Sequence, residues 1–468
     1  MSLNSVGLRH DSVNFVETVA LSAAVMAPSA SMALNVSLIG GLVGTSVCLP
    51  FLLATVITLG MSVSIIHFNQ VYPNSGSLYS FTKVGLGRSL SWVSGWSLYL
   101  AYLTLVIGVS GALGSYVSTL LSMLDLHVSW LPLSLMLTVV MWIFSYRDIK
   151  LSTKVMLALE GVSISLIVIL ATVIFVKTVA GGHWTWKPFT LPIGHGASLA
   201  EGTVVALLCF AGFESSSTLG EEAAKPTRTI PLVIAGTIIG IALFFLLSSD
   251  SQELGYLARS SMGPLADSTM PLVTLASYYV SPAYATLTIM SLTLSLFSCV
   301  VGCACTSSRL MFAMARDRSF FVAISSVHPI FRTPHRAVHS TMAVSVITQV
   351  LFDVLIHGRG TDLYNYTAYV TALSMLLSYA LVNASAVRHF FLRSKRWPSF
   401  LALISALSLV AALYAIYANL YPVPPYPMNL APYITVVFIT IMCTLSWVSS
   451  RVSTISDTES ITTHHDAL

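Results

Sequence analysis

Charge is what this sequence lacks. Only 9% of its 468 residues are charged, while 55% are hydrophobic. Soluble domains carry about 25% charged residues because their surfaces face water, so most of this surface must face something else. The net charge of +4 does not point to nucleic acid, because the basic residues are scattered among loops rather than clustered. Cysteine is sparse too: Cys48, Cys209, Cys299, Cys303, Cys305 and Cys443 all fall in apolar segments, and no CxxC occurs. Neither a zinc site nor a disulfide framework is indicated; Cys299 and Cys303, one helical turn apart, read as packing residues. There is no GxSxG elbow, no HExxH and no pair of aspartates in facing spans, which argues against an intramembrane enzyme. A cleaved leader is not evident either. The first fifteen residues are polar, and the apolar stretch after them contains Pro28 and no small-residue cleavage pattern.

What is present is a series of long apolar runs. A helix needs about 20 mostly apolar residues to cross a bilayer. Twelve runs qualify, at approximately 15–37, 43–68, 88–120, 130–146, 151–177, 198–218, 229–249, 283–315, 338–357, 363–390, 398–420 and 430–450. The segment 269–280 is apolar but too short to span, and reads as a re-entrant or surface helix. With the N-terminus inside, four of the 22 Lys and Arg fall outside (Lys177, Lys187, Arg259, Arg359) and 18 inside. The positive-inside rule therefore predicts that both termini are cytoplasmic. This divides the chain into a cytoplasmic segment 1–14, a twelve-span membrane domain 15–450 and a tail 451–468. The tail is rich in Ser and Thr and reads as disordered.

Lipid offers no hydrogen bonds, so an interrupted membrane helix survives only where it lines a protein cavity. The first span, FVETVALSAAVMAPSASMALNV, has Pro28 near its middle. Proline cannot donate to the carbonyl four residues back and disfavours helix at Ala27, yet it suits the first position of a new helix. The pattern predicts one half-helix ending near Met26 and another starting near Pro28. The sixth span has Phe210, Ala211, Gly212 and Phe213 at its midpoint; Gly212 permits unwinding and the two rings can close over a solute. These two spans occupy corresponding places if spans one to five (15–177) and six to ten (198–390) are repeats, with two accessory helices at 398–450. Because five is odd, the repeats are inverted. Interrupted segments at matching places in two halves point to a transporter binding site.

At this point the residues resemble a family. GFESSSTLGEEAAKPTRTIP (Gly212 to Pro231) is similar to the GFE…EE…P.R.IP signature of the amino acid–polyamine–organocation permeases. YPNSGSLYSFTKVGLGRSLSWVSGW (Tyr72 to Trp96) resembles their segment after the second span, and SSRLMFAMARDRSFF followed by HPIFRTP matches their SR…A.ARD…TP segment. The resemblance covers roughly residues 12–450. It implies an all-α membrane protein of the leucine-transporter type: twelve transmembrane helices, a 5+5 inverted repeat and two C-terminal helices. Three departures stand out. Ala27-Pro28-Ser29-Ala30 replaces the usual glycine-rich break, Ser163 falls where proton-coupled members place a lysine, and Ser319-Phe320-Phe321 stands where a proline is usual.

A zwitterion needs opposite partial charges a few ångströms apart, which half-helix ends supply. The amides of Ser29, Ala30 and Ser31, with Gly212, are expected to bind the carboxylate, and carbonyls around Met26, Phe210 and Ala211 the ammonium; Ala27, between them, is counted with the substrate-binding residues. Phe210, Phe213 and Tyr102 would shape the side-chain pocket. Carboxyls at membrane depth are costly and usually functional. Glu214 either braces the sixth span or handles a cation or proton. Glu160 is either a protonated structural group or a proton-coupling group. A sodium site would draw on Ser295, Ser298 and Ser163. Arg316-Asp317-Arg318 reads as an anchor or a gate, and Gly40/Gly44 and Gly236/Gly240 as packing pairs.

The expected function is a permease for amino acids, with neutral ones preferred because Ala101 stands where some cation-preferring relatives place an acid. Transport would run by proton symport or exchange, with no cofactor beyond a coupling H+ or Na+ and no obligate protein partner. A polyamine or organic-amine transporter is the alternative, and a non-transporting sensor of the same fold a third reading.

Overall fold

The computed structural model describes residues 8, 12–147, 149–191, 196–259, 262–393 and 398–465. The rest of the segments 1–14 and 451–468, and the basic residues Lys395 and Arg396, lie outside the described residues. Among the described residues the structure is helical, with one isolated bridge between Val13 and Ala223 and no strand.

The first helix begins with a reciprocal cap. Asn14 Oδ1 accepts from Glu17 N–H and Glu17 Oε2 accepts from Asn14 N–H, both at 2.9 Å. Two backbone donors that a helix start leaves unpaired are thereby satisfied. Helix α1 (Phe15–Met26) follows, then α2 (Pro28–Val43), α3 (Cys48–Val71), a short α4 (Ser77–Leu86), α5 (Arg88–Ser122), α6 (Trp130–Tyr146) and α7 (Ile149–Ala180). The second half runs α8 (Gly196–Cys209), α9 (Pro226–Leu257), α10 (Pro271–Tyr279), α11 (Pro282–Arg316), α12 (His335–Ile356), α13 (Gly360–Ala386), α14 (Ser399–Leu420) and α15 (Ala431–His465).

With α1 and α2 taken as one unit, ten helical units among the described residues are long and apolar enough to cross a bilayer. Of the twelve runs expected from sequence, the other two are shorter. α6 has 17 residues, about 26 Å at 1.5 Å per residue, and α8 has 14, about 21 Å. α8 is short because the sixth run does not stay helical: it turns at Phe210 and resumes as a 3-10 segment, Ser215–Leu219. The nine residues of α10 lie within the stretch judged too short to span. α4 falls between the second and third apolar runs, where the sequence pattern predicts no span. α15 continues past residue 450 into the stretch expected to be disordered; no Gly or Pro occurs from 433 to 465 to stop it.

Burial separates an inner bundle from an outer one. The apolar window of α5 is 83% buried within the protein, whereas that of the last span is 22% buried. α1–α2, α11 and α13 are also largely internal. α14 and α15 present Leu403, Leu407, Val410, Val436, Val437 and Ile441 outward, a belt that is stable only against lipid. α5 and α13 approach backbone to backbone at Gly108 and Gly111. A Cβ on Gly108 would lie 2.0 Å from Thr367 Oγ1, and one on Gly111 2.9 Å from the Gly360 carbonyl oxygen. Close approach of this kind replaces the hydrophobic drive that lipid cannot supply. Hydroxyls knit the same seam: Ser97 Oγ donates to the Ser374 carbonyl (2.5 Å), Ser378 Oγ to that of Ser94 (2.8 Å), and Thr104 pairs with Thr371 (2.7 Å). Of the two GxxxG pairs expected to pack, only Gly40 faces a neighbour: a Cβ there would touch Leu265 and Ala266 at 3.7 Å, whereas one on Gly44, Gly236 or Gly240 would meet no atom of another element within 4 Å.

Candidate functional site

The first break is one residue long. α1 ends at Met26, Ala27 takes a left-handed conformation (φ 41°, ψ 62°), and Pro28 opens α2. The cause is local. Pro28 has no N–H for the carbonyl four residues back, and its ring pushes Ala27 out of the helical region.

The second break spans Phe210–Glu214, where the backbone turns through Gly212 at φ 94°. A side chain is disfavoured there twice over. Positive φ suits glycine, and an added Cβ would stand 2.1 Å from Val25 Cγ1. Val25 immediately precedes the end of α1, so the two interruptions pack directly on each other. Ser22 Oγ on α1 also donates to the Phe213 carbonyl at 3.4 Å.

Backbone donors at the start of α2 can be accounted for one by one. Pro28 has none. Ser29 N–H donates to Glu160 Oε1 on α7 at 3.2 Å, and Ala30 N–H to Ser295 Oγ on α11 at 3.3 Å. Ser31 N–H donates to the Ala27 carbonyl at 2.8 Å. Across the site, Glu214 accepts hydrogen bonds from the hydroxyls of Tyr102 and Tyr379, the latter at 2.6 Å, and all three side chains are buried. Gly212 N–H approaches the Tyr379 hydroxyl at 3.5 Å.

Two voids flank the breaks, each of about 20 Å³. A single water needs roughly 10–15 Å³ by this measure, so this conformation is closed to any amino acid. One void is lined by Met26, Ala27, Ala30, Ser31 and Ala211, together with Leu105, Cys299 and Tyr364. The other is lined by Phe210, Ala211 and Phe213 with Thr58, Met61 and Tyr379. Tyr102 lines neither, since its hydroxyl is turned to Glu214. Phe210 stacks edge-on against Phe245 at 5.0 Å, and Phe213 leans on Tyr379 at 5.1 Å. The two rings therefore have separate partners rather than each other.

Sequence reasoning missed Asn35 and Tyr364. Asn35 Nδ2 donates to the Ser31 carbonyl (3.1 Å) and to the Tyr364 hydroxyl (3.3 Å), joining α2 to α13 beside the first void. An amide side chain two turns past a helix break was the available signal. The three hydroxyls considered for sodium are bonded apart from one another. Ser163 Oγ donates to the Ser291 carbonyl (2.5 Å), Ser298 Oγ to that of Met156 (3.4 Å), and Ser295 Oγ receives Ala30 N–H. The Cys299 and Cys303 sulfurs are 3.9 Å apart, and all six cysteines are free.

At the α4 end of the bundle the three family-like segments meet through ion pairs. Arg309 on α11 donates to Glu222, Arg316 to Glu221, and Lys83 on α4 to Asp317, with closest distances of 2.5, 2.5 and 2.6 Å. Tyr79 also donates to Asp317. Burial pushes the Glu221 carboxyl up, but hydrogen bonds from Arg316 and Ser75 outweigh it and hold the group below its ordinary value.

The model of the family described as "Amino acid permease" matches residues 26–457. The chain belongs to that family. Its ten long apolar helical units accord with a membrane protein of that family. Relatives include the methylthioribose transporter of Bacillus subtilis, 25% identical over 63% of this chain and 64% of its own length. The branched-chain amino acid permease BcaP of the same organism is 24% identical over 63% of this chain and 65% of its own length. The low-affinity putrescine importer PlaP of Escherichia coli is 24% identical over 77% of this chain and 76% of its own. The chain thus spans just under two thirds of the first two relatives. Among solved structures, an Eremococcus coleocola manganese transporter superposes with a TM-score of 0.58 over 96% of this chain and 99% of its own, at 11% identity. That likeness concerns the fold alone.

Proposed function

We propose that this permease moves small amine-bearing solutes, neutral amino acids foremost, across the cytoplasmic membrane by alternating access, driven by proton symport or by exchange. In this reading the shorter α6 and α8 complete a set of twelve crossings, α1–α7 and α8–α13 form the two inverted repeats, and both termini are cytoplasmic. The observation that carries it is the direct packing of two helix interruptions, Gly212 against Val25, beside a void lined by Met26, Ala27, Ala30, Ser31 and Ala211. Half-helix ends at one depth offer a zwitterion both partial charges. Opening of the closed void would expose them. Glu160, Ser163, Glu214, Ser295 and Ser298 are the groups available for coupling to H+ or Na+. Similarity to a branched-chain amino acid permease supports the neutral preference.

An organic amine is the second reading. Among the described residues no lysine or arginine lines either void, while Glu160 and Glu214 lie beside the breaks. Similarity to a putrescine importer favours it as well. Counterflow into proteoliposomes, run with each standard amino acid and with putrescine at two pH values, with and without sodium, decides between them. Exchange of a branched-chain or other neutral amino acid is the expected result. Exchange of putrescine alone selects the second reading, and no exchange with any probe refutes both.

A further inference from the structure

The first turn of a helix leaves backbone N–H groups unpaired, and these attract anions. In α2 that attraction is already met from within the protein. Of the two free donors, Ser29 N–H is bonded to Glu160 Oε1 and Ala30 N–H to Ser295 Oγ. Ser295 is neutral; Glu160 is a carboxyl, the same group by which an amino acid would dock. The Glu160 side chain is 2% exposed, and its Oε2 has no hydrogen-bond partner, nor has the neighbouring Ser29 Oγ. The groups facing it are Ser29 from α2 and Ser295 from α11. Among the described residues no lysine, arginine or histidine pairs with it. Other titratable groups on the surrounding helices lie elsewhere. Cys299 Sγ on α11 is turned to the Val25 carbonyl (3.5 Å); Asp250 and Glu253 on α9 each keep a buried oxygen without a hydrogen-bond partner, but they lie by Cys48 and are not among the groups acting on Glu160.

We propose that Glu160 is an internal stand-in for the solute's carboxylate, and that a carboxylate-bearing solute reaches the Ser29 amide only after Glu160 has taken up a proton and left it. This rests on the amino acid reading above and names its coupling group. Two ionised carboxylates cannot share one buried amide, because each disfavours the charge on the other. The exchange balances. One proton from water on the entry side joins Glu160, the neutral carboxylic acid releases Ser29 N–H, and the solute's carboxylate takes its place. When the solute departs, Glu160 gives its proton to water on the exit side and closes on Ser29 again. One proton crosses with each carboxylate. An amine without a carboxylate does not compete for Ser29 and needs no such proton.

The test uses the full chain in proteoliposomes with two probes, leucine and its decarboxylated counterpart 3-methylbutylamine, and follows solute and proton movement together. Leucine is expected to carry one proton per molecule, with an affinity that falls tenfold per pH unit above the titration of Glu160. The affinity for the amine should not follow that titration. In Glu160→Gln, leucine-driven proton movement should fall at least tenfold and the pH dependence of leucine affinity should vanish. Glu160→Asp, which keeps the ionisable group, should retain proton movement with a displaced pH midpoint, and it decides the matter if the glutamine variant fails to fold. Wild-type leucine exchange without protons overturns the proposal and leaves the amino acid reading standing. So does an unaltered pH profile in Glu160→Gln, an undisplaced midpoint in Glu160→Asp, or loss of leucine binding in a folded Glu160→Gln. Absence of leucine exchange in the wild type overturns the neutral amino acid reading and this inference with it.

Discussion

Arg309 and Glu222 form a doubly hydrogen-bonded ion pair, Nε to Oε2 at 2.5 Å and Nη2 to Oε1 at 3.1 Å, with both side chains 2% exposed. The pair ties the SSR segment of α11 to the EE segment that follows the second break, and Arg309 Nη1 also donates to the Cys305 carbonyl at 3.0 Å. Removing one partner of a buried pair strands the other charge, at a cost of about 3–5 kcal/mol. Glu222→Ala should therefore lower the melting temperature of the detergent-purified protein and abolish uptake. Glu222→Gln, which keeps an acceptor for the guanidinium, should do so less. Equal melting temperatures for wild type and Glu222→Ala would contradict the placement.

Gly212 sets the geometry of the second break. An alanine there meets both a positive φ, worth about 1–2 kcal/mol, and the Val25 side chain at 2.1 Å. Gly212→Ala should cut solute uptake at least tenfold while the protein still inserts. Combining it with Val25→Ala should recover part of the loss, because the clash is relieved but the backbone conformation is not. Full recovery, or none, would show that only one of the two effects operates.

How far the sequence carried the fold depends on which force shaped each element. Span positions were legible because apolar length is dictated by the bilayer, and the break at Ala27 because Pro28 has only one way to sit in a helix. α4 was not legible: its ten residues are too few and too polar to stand out, and it is held by tertiary contacts such as Lys83 with Asp317. The site was legible in its residue types but not in its partners. Nothing local in the sequence says that the Ser29 amide would meet Glu160, 131 positions away, or that Tyr102 would turn to Glu214 rather than to the void. Those pairings are fixed by how α2 meets α7 and how α5 meets the second break, and which elements meet leaves no local trace in the sequence.

Glu221 gives the α4 end a dependence on acid. Its carboxyl accepts from Arg316 Nη1 (2.8 Å) and Nη2 (2.5 Å) and from Ser75 Oγ (2.7 Å). Its folded pKa is held below the ordinary value, despite the opposing effect of burial, by these donors. A depressed carboxyl contributes stability that is fully present above the unfolded pKa, about 4.3, and is lost as pH falls through the folded one. The melting temperature of wild type should therefore exceed that of Glu221→Gln by a constant margin at neutral pH, and the margin should close below about pH 4. A margin that widens in acid would reverse the sign of the argument.

Tyr102 and Tyr379 both donate to the fully buried Glu214, but they should not be equivalent. Tyr102 makes that one bond from α5. Tyr379 makes it from α13, and in addition receives Gly212 N–H at 3.5 Å and packs its ring on Phe213 at 5.1 Å. A hydrogen bond to an ionisable partner contributes about 1.5–3 kcal/mol, and a buried oxygen left without a donor costs about 1–3 kcal/mol. Either tyrosine changed to phenylalanine leaves Glu214 one hydroxyl donor. The double variant removes both, so its loss of stability should exceed the sum of the single losses by at least about 0.5 kcal/mol. Transport should separate the two positions. Tyr379→Phe loosens the second break itself and should slow uptake several-fold more than Tyr102→Phe at matched loss of melting temperature. If both variants slow uptake equally, Glu214 alone transmits the effect and the Tyr379–Gly212 contact contributes nothing to the moving parts.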